Sequence, residues 1–377
     1  MRYSHVLSEM HTSERVTDGP RAAAAEGRFC PRCGRSFALW GLEVACTACG
    51  GPLEWHGAAS DVTAGAGLWR YAEILPPVSV EHRLTLGEGV TPLLELDGLV
   101  CKLDYLLPTG SFKDRGAAVL ASTALEAGAR AAVADSSGNA GSSLAAYFAA
   151  AGVPLTVFVP AGSASPKVAQ THSYGAEVVE VEGDRSAASA AARAHVAETG
   201  AFYASHAWSP FFIAGMRTVA FELVEQLGPD LPAVVAPAGA GTLLLGLYDG
   251  FRLLTERGDL PALPQLIAVQ AEACAPLADA FARGLDDVDP GRAWHHSVAG
   301  GINIASPPRG REILRAVRES GGAIVAVTED AIVAARARLL RRGVFAEHTA
   351  AAAWAGSTEA PPGAAVVLTG FGLKEAL

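Results

Sequence analysis

Five short segments hold residues whose types and spacing could do chemistry. The first is Pro108-Thr109-Gly110-Ser111-Phe112-Lys113-Asp114-Arg115-Gly116. It follows an apolar run ending in Lys102-Leu103 and opens an alanine-rich helical stretch, so Lys113 falls near a helix N-terminus. The macrodipole there disfavours a cation. A lysine so placed has more of the neutral amine that attacks a carbonyl. Read alone, the segment fits a solvated charged turn equally well. The second is Asp135-Ser136-Ser137-Gly138-Asn139-Ala140-Gly141, between a strand and a helix. Backbone N–H groups, two hydroxyls and the Asn139 amide could grip a carboxylate there. Ordinary helix capping explains it as well. The third, Pro237-Ala238-Gly239-Ala240-Gly241-Thr242-Leu243, offers glycines for close backbone approach and a helix start that favours a dianion. It fits neither the dinucleotide fingerprint nor the P-loop. The fourth, Val366-Val367-Leu368-Thr369-Gly370-Phe371-Gly372, puts the Thr369 hydroxyl at a strand end. In isolation it reads as a turn.

The fifth segment carries two Cys-x-x-Cys knuckles, Cys30/Cys33 and Cys46/Cys49, each followed by a glycine, Gly34 or Gly50. Four thiolates at this spacing suit tetrahedral structural zinc in a zinc ribbon, with no position left open for catalysis. Disulfides would need an oxidising compartment. The first 28 residues carry charges of both signs and no apolar core of a signal peptide, so a cytoplasmic protein is expected. Cys101 and Cys274 sit in apolar runs and read as inert core thiols.

The elements around these segments set the fold class. The chain has 377 residues, 50% hydrophobic and 18% charged, enough for a large buried core. Its net charge of −10 opposes nucleic-acid binding, and no stretch is long and apolar enough to cross a membrane. Short apolar runs alternate with alanine-rich amphipathic ones. Strands are expected at Leu99–Leu103, Ala131–Ala134, Leu155–Val159, Glu177–Val181, Ala233–Ala236, Leu266–Val269, Ile324–Val327 and Val366–Leu368. Helices are expected at Ala140–Ala150, Ala187–Glu198, Ile213–Leu227, Thr242–Thr255 and Glu329–Arg341. Apolar strands without alternation indicate parallel sheets covered on both faces.

Taken in order, the segments resemble fold-type II enzymes that use pyridoxal phosphate, and within them the threonine synthase family. The resemblance extends through Gly87-Glu88-Gly89-Val90-Thr91-Pro92-Leu93, Ser165-Pro166-Lys167-Val168-Ala169-Gln170 and Phe211-Phe212-Ile213-Ala214-Gly215-Met216-Arg217-Thr218. It also takes in Gln270 to Leu277 and Glu347-His348-Thr349-Ala350-Ala351, and covers about residues 30–374. It implies an α/β, tryptophan synthase β-like fold: two doubly wound parallel-sheet domains with an N-terminal zinc ribbon. The expected division is a flexible tail over 1–26, the ribbon over 27–56, a large cofactor-binding domain over 57–125 and 206–377, and a small α/β domain over 126–205. It implies a carbon-oxygen lyase that converts O-phosphohomoserine to threonine, and a homodimer. Lys113 would carry the cofactor as an imine, with Phe112 packed beside it. Asn139 would bond the ring hydroxyl. Gly239, Ala240, Gly241, Thr242 and Leu243 would hold the cofactor phosphate, and Thr369 would face the pyridine nitrogen. Ser136, Ser137 and Asn139 would bracket the substrate carboxylate. A hydroxyl partner stabilises a protonated ring less than a carboxylate would, by ~2–3 kcal/mol. The ring is then a weaker electron sink, which favours elimination or replacement over transamination.

The sequence departs from the family where the substrate phosphate binds. The family's arginine position holds Phe212, and neighbouring hydroxyl and amide positions hold Ala140, Ala207 and Leu243. Arg217, one turn beyond Phe212, either reaches that site or simply replaces a lysine found there in relatives, and His348 is a substrate reader or, the favoured reading, an exposed helix start. The departure keeps open a serine/threonine dehydratase or β-replacement synthase acting on a non-phosphorylated substrate. Two other classes fit less well: a regulatory relative without catalysis would lack Lys113, and a ribbon that binds nucleic acid would carry positive charge.

Overall fold

The computed structural model describes residues 27–41, 43–57, 65–163 and 165–375. The segment 1–26, expected to be a tail, lies outside them. Two sheets form the body. The larger has six strands in the order Ala323–Val327, Gln265–Ala271, Ala233–Pro237, Ala365–Val367, Leu99–Lys102 and Leu93–Leu96. The smaller has four, in the order Glu177–Val181, Leu155–Pro160, Ala132–Ala134 and Phe202–Tyr203, all parallel. Ala233–Pro237 is buried at every residue, because helices cover both faces of its sheet.

The larger sheet corrects one expectation. It is not wholly parallel, since Leu93–Leu96 pairs antiparallel with Leu99–Lys102 at the sheet edge. Asp97 and Gly98 join the two strands at φ +52° and +82°, the positive dihedrals that a two-residue hairpin demands. The Asp-Gly pair was the available signal. Gly356 ends the helix His348–Gly356, and Gly356 and Ser357 are buried.

The helix Lys113–Glu126 packs on Asn139–Ala150 and on Pro210–Leu227, and so bridges the two sheet units. Small residues permit the approach: a Cβ on Gly215 would meet the Arg115 carbonyl oxygen at 2.2 Å, and one on Gly116 would meet the Phe212 ring at 2.5 Å. Between these helices lies a closed ionic network. Arg115 donates to both oxygens of Asp104 at 2.9 Å and to the two oxygens of Glu222 at 2.6 and 2.8 Å. Lys102 reaches Glu222 at 2.7 Å, and the Val90 and Thr91 amides donate to the same carboxylate. All four charged side chains are fully buried. Burial alone would raise the Glu222 carboxyl, but Arg115 and Lys102 outweigh it and hold it down at about 2.

Removing one member leaves uncompensated buried charge. Glu222→Ala should lower stability to urea at pH 7 by about 3–5 kcal/mol. Glu225→Ala, whose partner Arg70 is exposed, should cost less than about 0.5 kcal/mol. The Glu222 contribution is complete above pH 4.5 and is lost as pH falls towards 2. Equal costs for the two variants would show that the network does not organise the core.

Candidate active site

The C-terminal ends of parallel strands are where doubly wound folds gather ligands. Both sheets direct theirs into one cavity of about 220 Å³. From the larger sheet, Leu99–Lys102 leads to Phe112 and Lys113, and Ala233–Pro237 leads to Gly239, Ala240, Gly241, Thr242 and Leu243. From the smaller sheet, all four strands contribute. Ala132–Ala134 leads to Ser136, Ser137, Gly138, Asn139 and Ala140. Leu155–Pro160 leads to Lys167, Glu177–Val181 to Arg185, and Phe202–Tyr203 to His206.

The Lys113 amine lies 3.4 Å from the Thr242 hydroxyl and 4.6 Å from the Phe112 ring. Burial lowers its pKa to about 7 against the opposing pull of Glu347. Its position is rigid because the next residue is anchored. Asp114 accepts from the Thr109 amide and hydroxyl at 2.7 and 2.6 Å and from the Ser143 hydroxyl at 2.5 Å.

The sequence-predicted residues converge: Phe112, Lys113, Ser136, Ser137, Asn139 and Gly239 through Leu243 all line the cavity. Thr369 is not part of its lining. It is fully buried, its carbonyl accepts the Phe112 amide at 2.9 Å, and its hydroxyl has no partner among the described residues. Four titratable cavity groups were not assigned roles from the sequence: Lys167, Arg185, His206 and Glu347. Glu347 accepts the Asn139 amide at 3.0 and 3.1 Å and pairs with Lys167 at 3.0 Å. Gly370 makes room for it, since a Cβ there would meet the carboxylate at 2.2 Å. Lys167 and Glu347 lie within segments already singled out; Arg185 and His206 carry no local sequence signal.

Two candidates lie outside the cavity. Arg217 does not reach the cavity, because its guanidinium is consumed by Asp249 at 2.5 Å and by the carbonyls of Trp55, Gly57 and Ile74. His348 does not line it either. Its ring pairs with Glu375 at 2.7 Å, at the start of its helix. Phe212 is fully buried against the helix Lys113–Glu126, its ring centroid 5.7 Å from the Lys113 amine. Ala140 and Leu243 line the cavity, and their side chains are hydrocarbon.

Three features test whether a pyridoxal phosphate fits. The Gly239–Gly241 loop is a cradle that side chains would fill: a Cβ on Gly239 would meet the Gly301 carbonyl oxygen at 2.8 Å, and Gly241 has φ +77°. The Thr369 hydroxyl and the Asn139 Oδ1 are buried without hydrogen-bond partners among the described residues, which leaves both for a bound polar group. The poised amine of Lys113 suits an aldehyde. The residues fit the group.

The four thiol sulfurs of Cys30, Cys33, Cys46 and Cys49 lie within 4.8 Å of one another. Each knuckle closes by an amide bond of 2.8 Å, Gly34 to Cys30 and Gly50 to Cys46, with both glycines at positive φ. This segment docks beside the active site. Arg32 pairs with Glu312 at 3.0 Å, and Arg309 joins the Leu53 carbonyl to those of Ala207 and Trp208.

Comparison with known proteins agrees with this geometry. Residues 84–370 match the family model described as pyridoxal-phosphate dependent enzyme. The threonine synthase of Methanosarcina acetivorans is 33% identical, covering 87% of this chain and 85% of its own. That of Halalkalibacterium halodurans is 35% identical, covering 82% and 89%. Among solved structures, a threonine deaminase of T.th. is 29% identical with a TM-score of 0.65, covering 75% of this chain and 92% of its own. The chain therefore belongs to the pyridoxal-phosphate dependent enzyme family and is threonine synthase-like within it.

Proposed function

We propose that this protein is a lyase of the threonine synthase type, taking O-phosphohomoserine and water to threonine and inorganic phosphate. One observation carries it: a desolvated lysine amine and a glycine cradle for a phosphate share a cavity, in a chain that matches threonine synthases over more than four fifths of its length. The threonine deaminase likeness is weaker in identity and in the share of this chain it covers, so dehydration of a free hydroxy amino acid is the second reading.

Pyridoxal phosphate supplies an aldehyde for amine capture and a ring that draws electrons from Cα. Lys113 would hold it and then move protons at the substrate's carbon atoms. Gly239 through Leu243 would take its phosphate with backbone amides at the start of the helix Thr242–Arg257. Thr369 would offer its unpartnered hydroxyl to the ring nitrogen, and Asn139 its unpartnered oxygen to the ring hydroxyl. Ser136, Ser137 and the amides around Asn139 would bracket the substrate carboxylate. Glu347, tied to Asn139 and Lys167, orients both. In the net change the Cγ–O bond breaks with its electrons leaving on phosphate. A Cβ–H bond breaks as water provides the hydroxyl at Cβ, and the water proton and the Cβ proton end on Cγ and on the departing phosphate.

The reading assigns 27–56 to a zinc ribbon, 57–125 and 206–377 to a large domain and 126–205 to a small one. The four convergent thiols support a structural zinc ion. The resemblance alone supports a homodimer in the cytoplasm. Among the described residues no helix is long and apolar enough to cross a membrane.

Purified protein should release phosphate from O-phosphohomoserine and form threonine in equal amount. Lys113→Ala should lose the visible cofactor absorption and lower turnover by about 10²–10⁴. Absence of phosphate release from cofactor-loaded wild type would refute the assignment. In cofactor-free protein, acylation of Lys113 followed by mass spectrometry should rise with a midpoint near pH 7, because the amine is neutral above its lowered pKa. A midpoint near the ordinary lysine value of about 10.4 would remove the argument for a poised amine. Metal analysis should give one zinc per chain, and Cys30→Ser should lose it together with thermal stability. A chain equally stable with and without metal would exclude a structural role.

A further inference from the structure

The expected phosphate clamp on the substrate side is hydrocarbon at Ala140 and Leu243, and Phe212 is sealed against Gly116. A dianionic leaving group still needs donors. Among the described residues, each cation near the cavity but one is already engaged. Arg115 is saturated by Asp104 and Glu222, Arg217 by Asp249 and three carbonyls, and Arg309 by carbonyls of Leu53, Ala207 and Trp208. Lys167 pairs with Glu347 at 3.0 Å, and Lys113 serves the cofactor. Arg185 is the exception. It lines the cavity, and its guanidinium makes no hydrogen bond or ion pair within 4 Å among the described residues, with the Asp135 carboxylate as a nearby opposite charge.

Helix stability does not explain that arginine. Arg185 is the first residue of the helix Arg185–Thr199, where a cation is disfavoured. The preceding Asp184 already caps the helix, accepting from the Ser186 and Ala187 amides at 2.9 and 3.0 Å. A second group lines the same cavity. His206 has a buried Nδ1 with no hydrogen-bond partner among the described residues. Burial, with Lys113 and Arg185 near, pushes the His206 pKa well below its usual value, so the ring is a neutral hydrogen-bonding group. Arg185 and His206 stand at the ends of different strands of the smaller sheet, Glu177–Val181 and Phe202–Tyr203.

We propose that Arg185 and His206 form the subsite for the substrate's anionic leaving group, with the Arg185 guanidinium as its bidentate partner. This rests on the lyase reading above and names the residues that select its substrate. The planar fork of arginine suits a phosphate monoester, and a distal carboxylate is the other anion it would accept.

The test is calorimetric titration of cofactor-loaded protein with the phosphonate isostere of O-phosphohomoserine, with L-norvaline as the same skeleton lacking the anion. Arg185→Ala should weaken phosphonate binding roughly 10- to 100-fold and leave L-norvaline binding within about twofold. Arg185→Lys should recover part of the loss, and His206→Ala should weaken the phosphonate by a smaller factor. In turnover, the loss should fall on KM more than on kcat. Unchanged phosphonate binding in Arg185→Ala, or equal loss of both ligands, overturns the subsite. Tighter Arg185-dependent binding of L-2-aminoadipate than of the phosphonate keeps the subsite and changes the substrate. Phosphate release by wild type with an unaltered KM in Arg185→Ala overturns the subsite while the lyase reading stands. Phosphonate binding that depends on Arg185, without phosphate release, does the reverse.

Discussion

Three consecutive ionisable residues, Lys113, Asp114 and Arg115, open one helix inside this protein, and the rest of the structure is arranged around that burial. Charges cannot be left unpaired in such a place. Arg115 is neutralised by two carboxylates and Asp114 is saturated by hydroxyls and an amide. Lys113 receives no carboxylate ion pair among the described residues and remains the reactive amine. The helix cannot rotate to relieve one of the three without breaking the partners of the other two. The reactive amine is therefore held by its neighbours' charges.

The same logic applies to Thr369. A carboxylate in its place would add a negative charge close to the Glu347 carboxylate, which lies against Gly370. A neutral hydroxyl avoids that repulsion. If its hydroxyl faces the ring nitrogen as proposed, the ring would withdraw electrons weakly, and negative charge at Cα would be relieved by expelling a side-chain group. Lys167 and Asn139 hold Glu347 in place, so the acidic group in the cavity is already balanced before substrate enters.

Much of this arrangement is written in local sequence. Strand ends, helix starts and glycine loops are short-range features, which is why the cavity residues from Phe112, Ser136 to Asn139 and Gly239 to Leu243 are readable from the chain. Leu93–Leu96 was not, because a four-residue edge strand with two apolar residues in a row shows no period-two pattern. The Arg115 network was not legible either, since its partners Asp104 and Glu222 come from 11 and 107 positions away. Arg217 and His348 show the opposite failure. Arg217 lies one turn beyond Phe212 and His348 stands between two cavity residues, but each side chain is claimed by a partner elsewhere in the fold.

The two sheets divide the labour of recognition. The larger sheet supplies Lys113, the glycine cradle and Thr369, groups suited to a cofactor that does not change between turnovers. The smaller sheet supplies Ser136, Asn139, Lys167, Arg185 and His206 from the ends of its four strands, groups suited to a substrate that must enter and leave. Specificity can then change by substitution at one strand end without disturbing the amine or its cradle. The apolar residues at Ala140, Phe212 and Leu243 are consistent with such a relocation. A phenylalanine, Phe212, on the helix Pro210–Leu227 is compatible with anion binding if another strand end of the smaller sheet delivers a guanidinium to the same space. Arg185 is the residue there whose guanidinium has no hydrogen-bond or ion-pair partner among the described residues.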